Sequence, residues 1–438
     1  MKVMVLGAGG REHALCERIS LSPLLDQLYC LPGNPGIARV AQCVEGNPVD
    51  CGFVVKKAQE FEIDLVIVGP EAPLSEGVVD ALEAAGIPAF GPTKAAAQIE
   101  ASKTYSKEIM EAANVRTPRA VIVTSKTEAL EVLASFGLDE SAPVVLKADG
   151  LAEGKGVFVC SNVSERIEAL EDLYVADSER KVLIEEFIEG HEASLIVCVN
   201  DCEVVPLVPA HDYKRIGEGN VGLNTGGMGT LSPTPYLPDE LVDSMVEVLI
   251  RPVIKEMSRR GTPFRGFLFA GLMINASGEV YVLEFNARSG DPETQVIMSR
   301  LRSDILPTLA YLSGVKGFEG HKVSELLWDR RTAICVVHAS AGYPKSSSKG
   351  DEIRGLKEAI AVPNVQIIHA ATMVDDNGTY YTNGGRVLNV IGVGNGLEEA
   401  RRVAYEASDR IVFNGQQYRR DIGGSNASPI VVSSRYSR

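Results

Sequence analysis

The sequence predicts a multidomain protein of mixed α/β and α+β class. It reads as an N-terminal doubly wound domain on a parallel sheet, a central region of strands and helices around a β-α-β-β unit, and a small C-terminal α+β domain. Three observations carry this. Short, wholly apolar strand-like runs alternate with helical runs over roughly the first hundred residues, the pattern of a parallel sheet covered on both faces. A glycine-rich hairpin, Val144 to Val159, then stands within a β-α-β-β unit. From Thr332 onward short strands gather around an Asn383-Gly384-Gly385 turn and a single helix. At 438 residues the chain is too long for one ordinary domain.

Lys2 to Leu6 reads as a buried strand, and Gly7-Ala8-Gly9-Gly10 leads into a helix from Arg11. A strand, a tight glycine turn and a helix N-terminus make an anion site, through free N–H groups and the helix dipole. The turn departs from the dinucleotide fingerprint. Glu12 replaces its third glycine, where it would disturb close helix–strand packing, and the next strand, Gln27 to Leu31, ends without the acid that holds a ribose diol. Arg11 therefore suits a phosphate monoester better than a nicotinamide cofactor. Asp64 to Val68 is a further strand running into Gly69-Pro70-Glu71, Ser75 to Ala85 a helix stopped by Gly86, and Ile87 to Phe90 the next strand. Ligands of such sheets sit beyond the carboxyl ends of the strands, where Gly9, Gly10, Asn34, Gly36 and Glu71 fall.

Ala95 to Ala113 is helical by composition, with Ser102-Lys103 inside it and Pro118 beyond it. Ala120 to Val123 and a helix near Thr127 to Phe136 precede the hairpin. There Val144-Val145-Leu146 ends in Lys147, Gly150, Gly154 and Gly156 shape the tip around Lys155, and Val157-Phe158-Val159 returns. Glycines let backbone N–H groups approach an anion, and two lysines add charge, so phosphate is the expected ligand. Ser164 to Leu173 is a helix. Val182 to Phe187 is a strand interrupted by Glu185 and Glu186.

Glu192 to Val199 and Val204 to Val208 read as paired strands about Asn200-Asp201. His211 to Thr230 reads as a long, glycine-dense loop, a feature that in compact domains is usually functional. Asp239 to Arg260 is an amphipathic helix with a kink expected at Pro252. Gly266 to Ile274 and Val280 to Phe285 pair around Asn275 to Gly278, and the second runs on into Glu284-Phe285-Asn286-Ala287-Arg288. Period two puts Glu284 and Asn286 on one face. A carboxylate and an amide oxygen there suit magnesium, a hard cation bridged to phosphates, or else form a structural hydrogen-bonded pair.

The formal charge of -15 argues against nonspecific nucleic-acid binding, though it leaves room for a local basic pocket. The eight cysteines form no Cys-x-x-Cys pair and no zinc pattern, which fits a reducing compartment and a cytoplasmic location. Met1 to Leu6 is too short for a signal peptide, and no stretch approaches the roughly 20 apolar residues of a membrane helix.

Lys147, the glycine hairpin, Glu185-Glu186-Phe187-Ile188 and Glu284-x-Asn286 together resemble an ATP-grasp domain. The chain as a whole resembles the phosphoribosylamine–glycine ligase family, also called glycinamide ribonucleotide synthetases. The similarity runs in order through Gly7 to Ala14, Val68 to Leu74, Leu146 to Val157, Asn224 to Gly229, Leu283 to Glu293, Gly384 to Leu388 and Tyr418-Arg419-Arg420-Asp421-Ile422. This chain departs from the family's usual residues at Tyr213 (histidine), Leu223 (proline) and Glu153 (alanine).

The resemblance implies five spans: 1–102 for the phosphosugar domain, 103–190 for the small ATP-grasp lobe, 191–328 for the large lobe, 329–423 for the C-terminal domain and 424–438 for a disordered tail. It implies ATP-dependent joining of glycine to 5-phosphoribosylamine through glycyl phosphate, with magnesium or manganese, in purine biosynthesis. Lys103, Lys147 and Gly154-Lys155-Gly156 would meet ATP phosphates, Glu185 to Ile188 adenine, and Glu192 the ribose hydroxyls. Arg215 and Asn224 would approach the phosphate end, and Glu284 and Asn286 would hold the metal. Arg288 would orient a substrate anion, Asp212 the substrate amine, and the glycine turn with Arg11 the ribose 5-phosphate. The partners implied are small molecules, neither nucleic acid nor membrane, with monomer and homodimer both open. A different ATP-grasp carboxylate–amine ligase or carboxylase is the nearest alternative.

Overall fold

The computed structural model describes residues 1–135, 142–151, 156–175, 177, 179–320, 326–424, 432 and 436. Gly154 and Lys155 of the predicted glycine-rich hairpin lie outside the described residues.

The first sheet is parallel throughout, in the spatial order Gln42–Cys43, Gln27–Pro32, Lys2–Gly7, Leu65–Val68, Ala89–Phe90. Its central strands Lys2–Gly7 and Leu65–Val68 are apolar and buried, as covering on both faces demands. The predicted helix Ser75 to Ala85 instead begins at Glu71 and breaks at Gly77, whose φ of 91° is open to glycine, before resuming as Val78–Ala84. Glu12 does not strain the first turn. Its carboxylate fills the space over Gly7 and Gly69, where a Cβ would lie within 2.6 Å of it at either position. It also accepts the Gly9 N–H at 2.6 Å.

The small lobe is an antiparallel sheet ordered Ala120–Val123, Val182–Glu186, Val144–Ala148, Val157–Cys160, with helices Lys126–Ser135 and Val163–Val175 packed on it. Its core is separate from the rest, built on residues such as Leu146, Leu170 and Ile184. The large lobe is the antiparallel sheet Glu203–Pro206, His191–Asn200, Arg265–Ile274, Val280–Asn286. It shares its core with the N-terminal domain, where Phe90 meets Phe267 edge to face at 4.9 Å.

Three expectations are corrected. Ala95 to Ala113 is two helices, Gln98–Ala101 and Lys103–Ala112, because Ser102 is extended and caps the second by accepting the Tyr105 N–H at 3.1 Å. His211 to Thr230 is not a loop. His211–Asp212 and Gly229–Ser232 are strands, and Arg215–Gly217 with Val221–Asn224 form a hairpin. In the tail, Val432 and Tyr436 are buried against the first core, and Tyr436 accepts the Val280 N–H at 3.4 Å, so disorder does not hold at those two positions. The expected kink at Pro252 takes the form of a widened π turn, Val246–Ile250, just before it. That turn lies where the ring would otherwise crowd the carbonyl four residues back.

The C-terminal sheet is ordered His211–Asp212, Gly229–Ser232, Thr332–Ala339, Arg386–Gly394, Val365–His369. Two strands of the central region thus complete the C-terminal sheet. Helix Leu397–Ser408 covers it, and Gly392 and Gly394 leave room for that helix's backbone. Among the described residues no helix is long and apolar enough to cross a membrane.

Candidate active site

A cavity of about 1150 Å³ lies where the N-terminal domain, both central lobes and the C-terminal domain meet. Its floor is strand Val280–Asn286. A register shift opposite Gly271 and Leu272 sets Glu284 facing Gly271, and Asn286 Nδ2 lies 3.5 Å from Glu284 Oε1. Burial alone would raise the Glu284 carboxyl, but Lys214, Lys147 and Lys103 more than offset it and hold it below its ordinary range.

Each lysine is positioned by a different element. Lys103 opens its helix, and Asp149 accepts the Lys103 N–H at 2.6 Å and the Thr104 N–H at 3.3 Å, a carboxylate at the positive end of the helix. Its Nζ reaches the Gly150 carbonyl at 2.8 Å, and burial lowers its pKa. Lys147 ends a strand and pairs with Glu185 at 2.7 Å. Lys214 pairs with Glu192 at 2.9 Å, and although burial opposes it, Glu192, Glu284 and Asp212 raise its pKa.

Glu185 is 1 % exposed and takes a second ion pair, from Lys107 at 2.9 Å. Lys107 also donates to Thr117 Oγ1 at 2.6 Å and the Pro118 carbonyl at 2.8 Å, so it ties helix Lys103–Ala112 and the Thr117-Pro118 segment to Glu185 of the small-lobe sheet. Two lysines on one buried carboxylate give the pairing that makes such burial tolerable. Glu186 turns outward and accepts the Arg119 N–H at 2.8 Å, while Phe187 and Ile188 carry the chain along the cavity wall.

Arg288 joins the domains. Its Nε donates to Glu71 Oε2 at 3.0 Å, and its Nη2 lies 3.2 Å from Glu100 Oε1 and 3.5 Å from Asn286 Oδ1. Burial would raise Glu71, but Arg288 and Arg11 hold it low. Glu100 stays raised because burial, with Glu71 alongside, outweighs Arg288. At the opposite corner Asp212 is buried with Oδ1 lacking a hydrogen-bond partner among the described residues. Burial and the neighbouring charge of Glu293 push its carboxyl well above the ordinary range. Ser194 donates to Glu293 Oε1 at 2.9 Å.

The structure thus brings Arg11, Glu71, Lys103, Lys147, Glu185 to Ile188, Glu192, Asp212, Arg215, Asn224, Glu284, Asn286 and Arg288 to one cavity. Gly9, Gly10, Asn34, Gly36 and Gly156 do not line it. The Gly9 N–H is taken by Glu12, and a Cβ at Gly10 would lie 2.5 Å from Asn389 and 2.6 Å from Gln295. Asn34 donates to the carbonyls of Ala8 (2.9 Å) and His369 (3.0 Å) and accepts the Gly36 and Ile37 N–H groups, so it ties the turn to the C-terminal domain. Arg11 pairs with Glu12 at 2.6 Å and donates to the Ser289 carbonyl at 3.1 Å.

Lys107, Lys214, Glu100 and Glu293 escaped the sequence reading. Lys107 stands four residues after Lys103, on the same helical face, and Glu100 three before it; that spacing was the available signal. Lys214 was hidden in the supposed loop.

Comparison with known proteins gives matches to three domains described as "Phosphoribosylglycinamide synthetase": N domain over residues 1–100, ATP-grasp (A) domain over 101–294 and C domain over 333–425. The phosphoribosylamine–glycine ligase of Streptomyces coelicolor is 44% identical over 429 residues, covering 98% of this chain and 100% of that protein. That of Synechocystis is 43% identical, covering 97% and 99%. The crystal structure of the phosphoribosylamine–glycine ligase from Thermotoga maritima matches with a TM-score of 0.78 at 31% identity, over 96% of this chain and 100% of that one. The biotin carboxylase of Campylobacter jejuni matches at 0.70 with 14% identity, over 97% of this chain and 94% of that one, a likeness of fold alone. With its three domains matched in order and relatives similar over nearly its whole length, the chain belongs to the phosphoribosylglycinamide synthetase family and is built on an ATP-grasp core.

Proposed function

We propose that this chain joins glycine to 5-phosphoribosylamine at the expense of ATP, giving glycinamide ribonucleotide, ADP and phosphate. The observation that carries the reading is the cavity floor, where Lys103, Lys147 and Lys214 surround Glu284 and Asn286 while Arg288 stands at the edge toward the N-terminal domain. A carboxylate oxygen is a poor leaving group, so glycine's carboxylate must first take the γ-phosphoryl group, releasing ADP. The amine of phosphoribosylamine then attacks the carbonyl carbon, phosphate leaves and the nitrogen loses a proton. Charge builds on phosphoryl oxygens in both steps, and fixed cations in a recessed site stabilise it.

Adenine lies along Glu185 to Ile188 and the ribose toward Glu192, with the phosphates over Lys103 and Lys147 and under the hairpin that bears Arg215 and Asn224. Gly154, Lys155 and Gly156 of the glycine-rich hairpin are further candidates for contact with the phosphates. The donor set at Glu284 and Asn286 fits a hard divalent cation: an ionised carboxylate and an amide, side by side at the cavity floor. Among the described residues no group of three His, Cys, Asp or Glu side chains gathers to hold a metal, and Glu284 with Asn286 would hold the cation together with the nucleotide. The cation, magnesium or manganese, supplies charge neutralisation between adjacent phosphates when bound.

Arg288, fixed by Glu71 and Glu100, faces the anion of glycine or its acyl phosphate. Asp212 Oδ1, buried without a partner, accepts a hydrogen bond from a substrate amine. Arg11 and Glu71 mark the phosphosugar side, with Gly9, Gly10, Asn34 and Gly36 as the frame that holds them. The test is ADP release with ATP, magnesium, glycine and phosphoribosylamine. Turnover dependent on both acceptor substrates is expected, and release with other amines or acids but not these would overturn the assignment.

A further inference from the structure

One matched motif, Tyr418 to Ile422, has no part in the chemistry above, yet two of its residues line the cavity. Arg419 is 1 % exposed, the largest fully buried side chain among the described residues. It grips Asp421 through two parallel bonds, Nε to Oδ1 at 2.8 Å and Nη2 to Oδ2 at 2.7 Å. Its remaining reach goes to the hairpin Arg215–Asn224: Nη1 donates to the Arg215 carbonyl at 3.0 Å and to Asn220 Oδ1 at 2.9 Å. Asp421 Oδ2 accepts the Gly219 N–H at 2.8 Å, and the Arg420 N–H donates to Glu218 Oε1 at 2.9 Å.

The segment is itself anchored from behind. Tyr405, on helix Leu397–Ser408, donates its hydroxyl to the Arg419 carbonyl at 2.8 Å and accepts the Ile422 N–H at 3.0 Å. Tyr213 accepts the Gly423 N–H at 3.0 Å and lays its ring under the Arg419 guanidinium at 5.2 Å. The hairpin needs such support. It is a two-stranded sheet of its own, with an irregular register between Arg215 and Gly217. Asn220, Gly219 and Gly222 have positive φ, and Val221 and Leu223 face outward, 61% and 45% exposed. An isolated two-stranded hairpin is marginal in water.

We propose that Arg419 and Asp421 are positioning residues: a latch on the C-terminal domain that holds the hairpin Arg215–Asn224 over the cavity and thereby places Arg215 and Asn224 for the nucleotide. The guanidinium's bonds go to carbonyl, amide and carboxylate oxygens of the protein, so the latch acts through the hairpin and not on ligand. The placement for nucleotide rests on the ATP reading above; the latch itself does not.

The test pairs two variants with two readouts. Asp421→Asn keeps the shape but removes the charge that Arg419 grips, and Arg419→Lys keeps a cation but loses the fork. Hydrogen exchange is measured on the ligand-free proteins, comparing the hairpin with strand Lys2–Gly7. Exchange in the hairpin is expected to quicken by roughly tenfold in both variants, with Lys2–Gly7 unchanged. In the assay the KM for ATP is expected to rise about tenfold while the KM for glycine stays within about twofold. Unchanged hairpin exchange overturns the latch, and so does quickening everywhere alike. A loosened hairpin with an unaltered KM for ATP overturns the placement for nucleotide. Absence of ATP turnover in the unaltered protein defeats the ATP reading instead, while the exchange measurement still decides the latch.

Discussion

Two carboxylates of one cavity, half-buried Glu284 and buried Asp212, are shifted in opposite directions. Glu284 lies among Lys214, Lys147 and Lys103, and its acidity is increased despite burial. Asp212 lies beside Glu293 with a hydrogen-bonding atom unpartnered, and its acidity is decreased. The difference shows how neighbouring charge divides two acids that burial pushes the same way: three lysines reverse the push at Glu284, and Glu293 adds to it at Asp212. It also grades the cavity, from a lysine-rich floor at Glu284 to an acidic corner at Asp212 and Glu293.

The comparison breaks most visibly at Glu284. Glu284→Ala removes the one carboxylate of the floor, and ADP release is expected to fall by about a thousandfold, the scale of losing metal-assisted charge stabilisation. Circular dichroism and thermal unfolding should show the fold retained, because each neighbouring lysine keeps another partner: Gly150 for Lys103, Glu185 for Lys147 and Glu192 for Lys214. A near-normal rate would remove Glu284 from the metal role.

Lys214 sharpens the comparison, because it is the lysine that lowers both acids at once. Lys214→Met should move the acidic limb of the rate profile upward by about one pH unit and raise the KM for ATP roughly tenfold. Measured kcat/KM between pH 5 and 8 decides it, and an unmoved acidic limb would mean that Lys147 and Lys103 suffice for Glu284.

Much of this was legible in the sequence, and the failures share a cause. Lys2–Gly7 and Leu65–Val68 announce themselves because their apolar runs are continuous and buried, and Val182–Glu186 through the apolar run Val182-Leu183-Ile184 that opens it. The strands His211–Asp212 and Gly229–Ser232 do not. They are short, and glycine and polar residues surround them; Gly229–Ser232 pairs with Thr332–Ala339, a hundred residues on, and His211–Asp212 pairs in turn with Gly229–Ser232. Lys214, Asp212 and Arg215 were therefore placed on a loop when they stand on or between strands. The site residues missed elsewhere, Lys107 and Glu100, are ones whose partners stand far along the chain, Glu185 for Lys107 and Arg288 for Glu100. Spacing on a helix shows a shared face but not the charge awaiting it. The N-terminal turn misled in the other direction. Its glycines suggest an open anion cradle, and in the fold they make room for Glu12, Asn389 and Gln295.

A smaller effect separates the two acids through stability. The Asp212 carboxyl is raised above 3.8, its ordinary value, so the folded protein binds a proton that the unfolded chain has released. Its stabilising contribution is fully present below about pH 3.8 and is lost as pH rises through the raised value, by about 1.4 kcal/mol per unit of the rise. Asp212→Asn cannot titrate. Its urea midpoint should exceed that of the unaltered protein at pH 8, with the gap closing toward pH 4. A gap that is constant with pH would mean that Asp212 is not the group concerned.

Arg11 carries the smallest predicted effect and tests whether the graded cavity extends into the N-terminal domain. Its guanidinium already has Glu12 and the Ser289 carbonyl, and it is 6 % exposed, so only part of its charge faces the cavity. Arg11→Ala should raise the KM for phosphoribosylamine about fivefold to tenfold and that for ATP by less than about twofold, the scale of one charge-assisted contact. Because the change removes the ion-pair partner of Glu12 and leaves it the Gly9 N–H, Arg11→Lys serves as the companion. A lysine there retains the charge, and it should recover most of the binding if the phosphate is met electrostatically. If both variants affect ATP and phosphoribosylamine equally, Arg11 acts only by holding Ser289 and the Arg288 backbone in place, and the phosphosugar must be held elsewhere in the cavity.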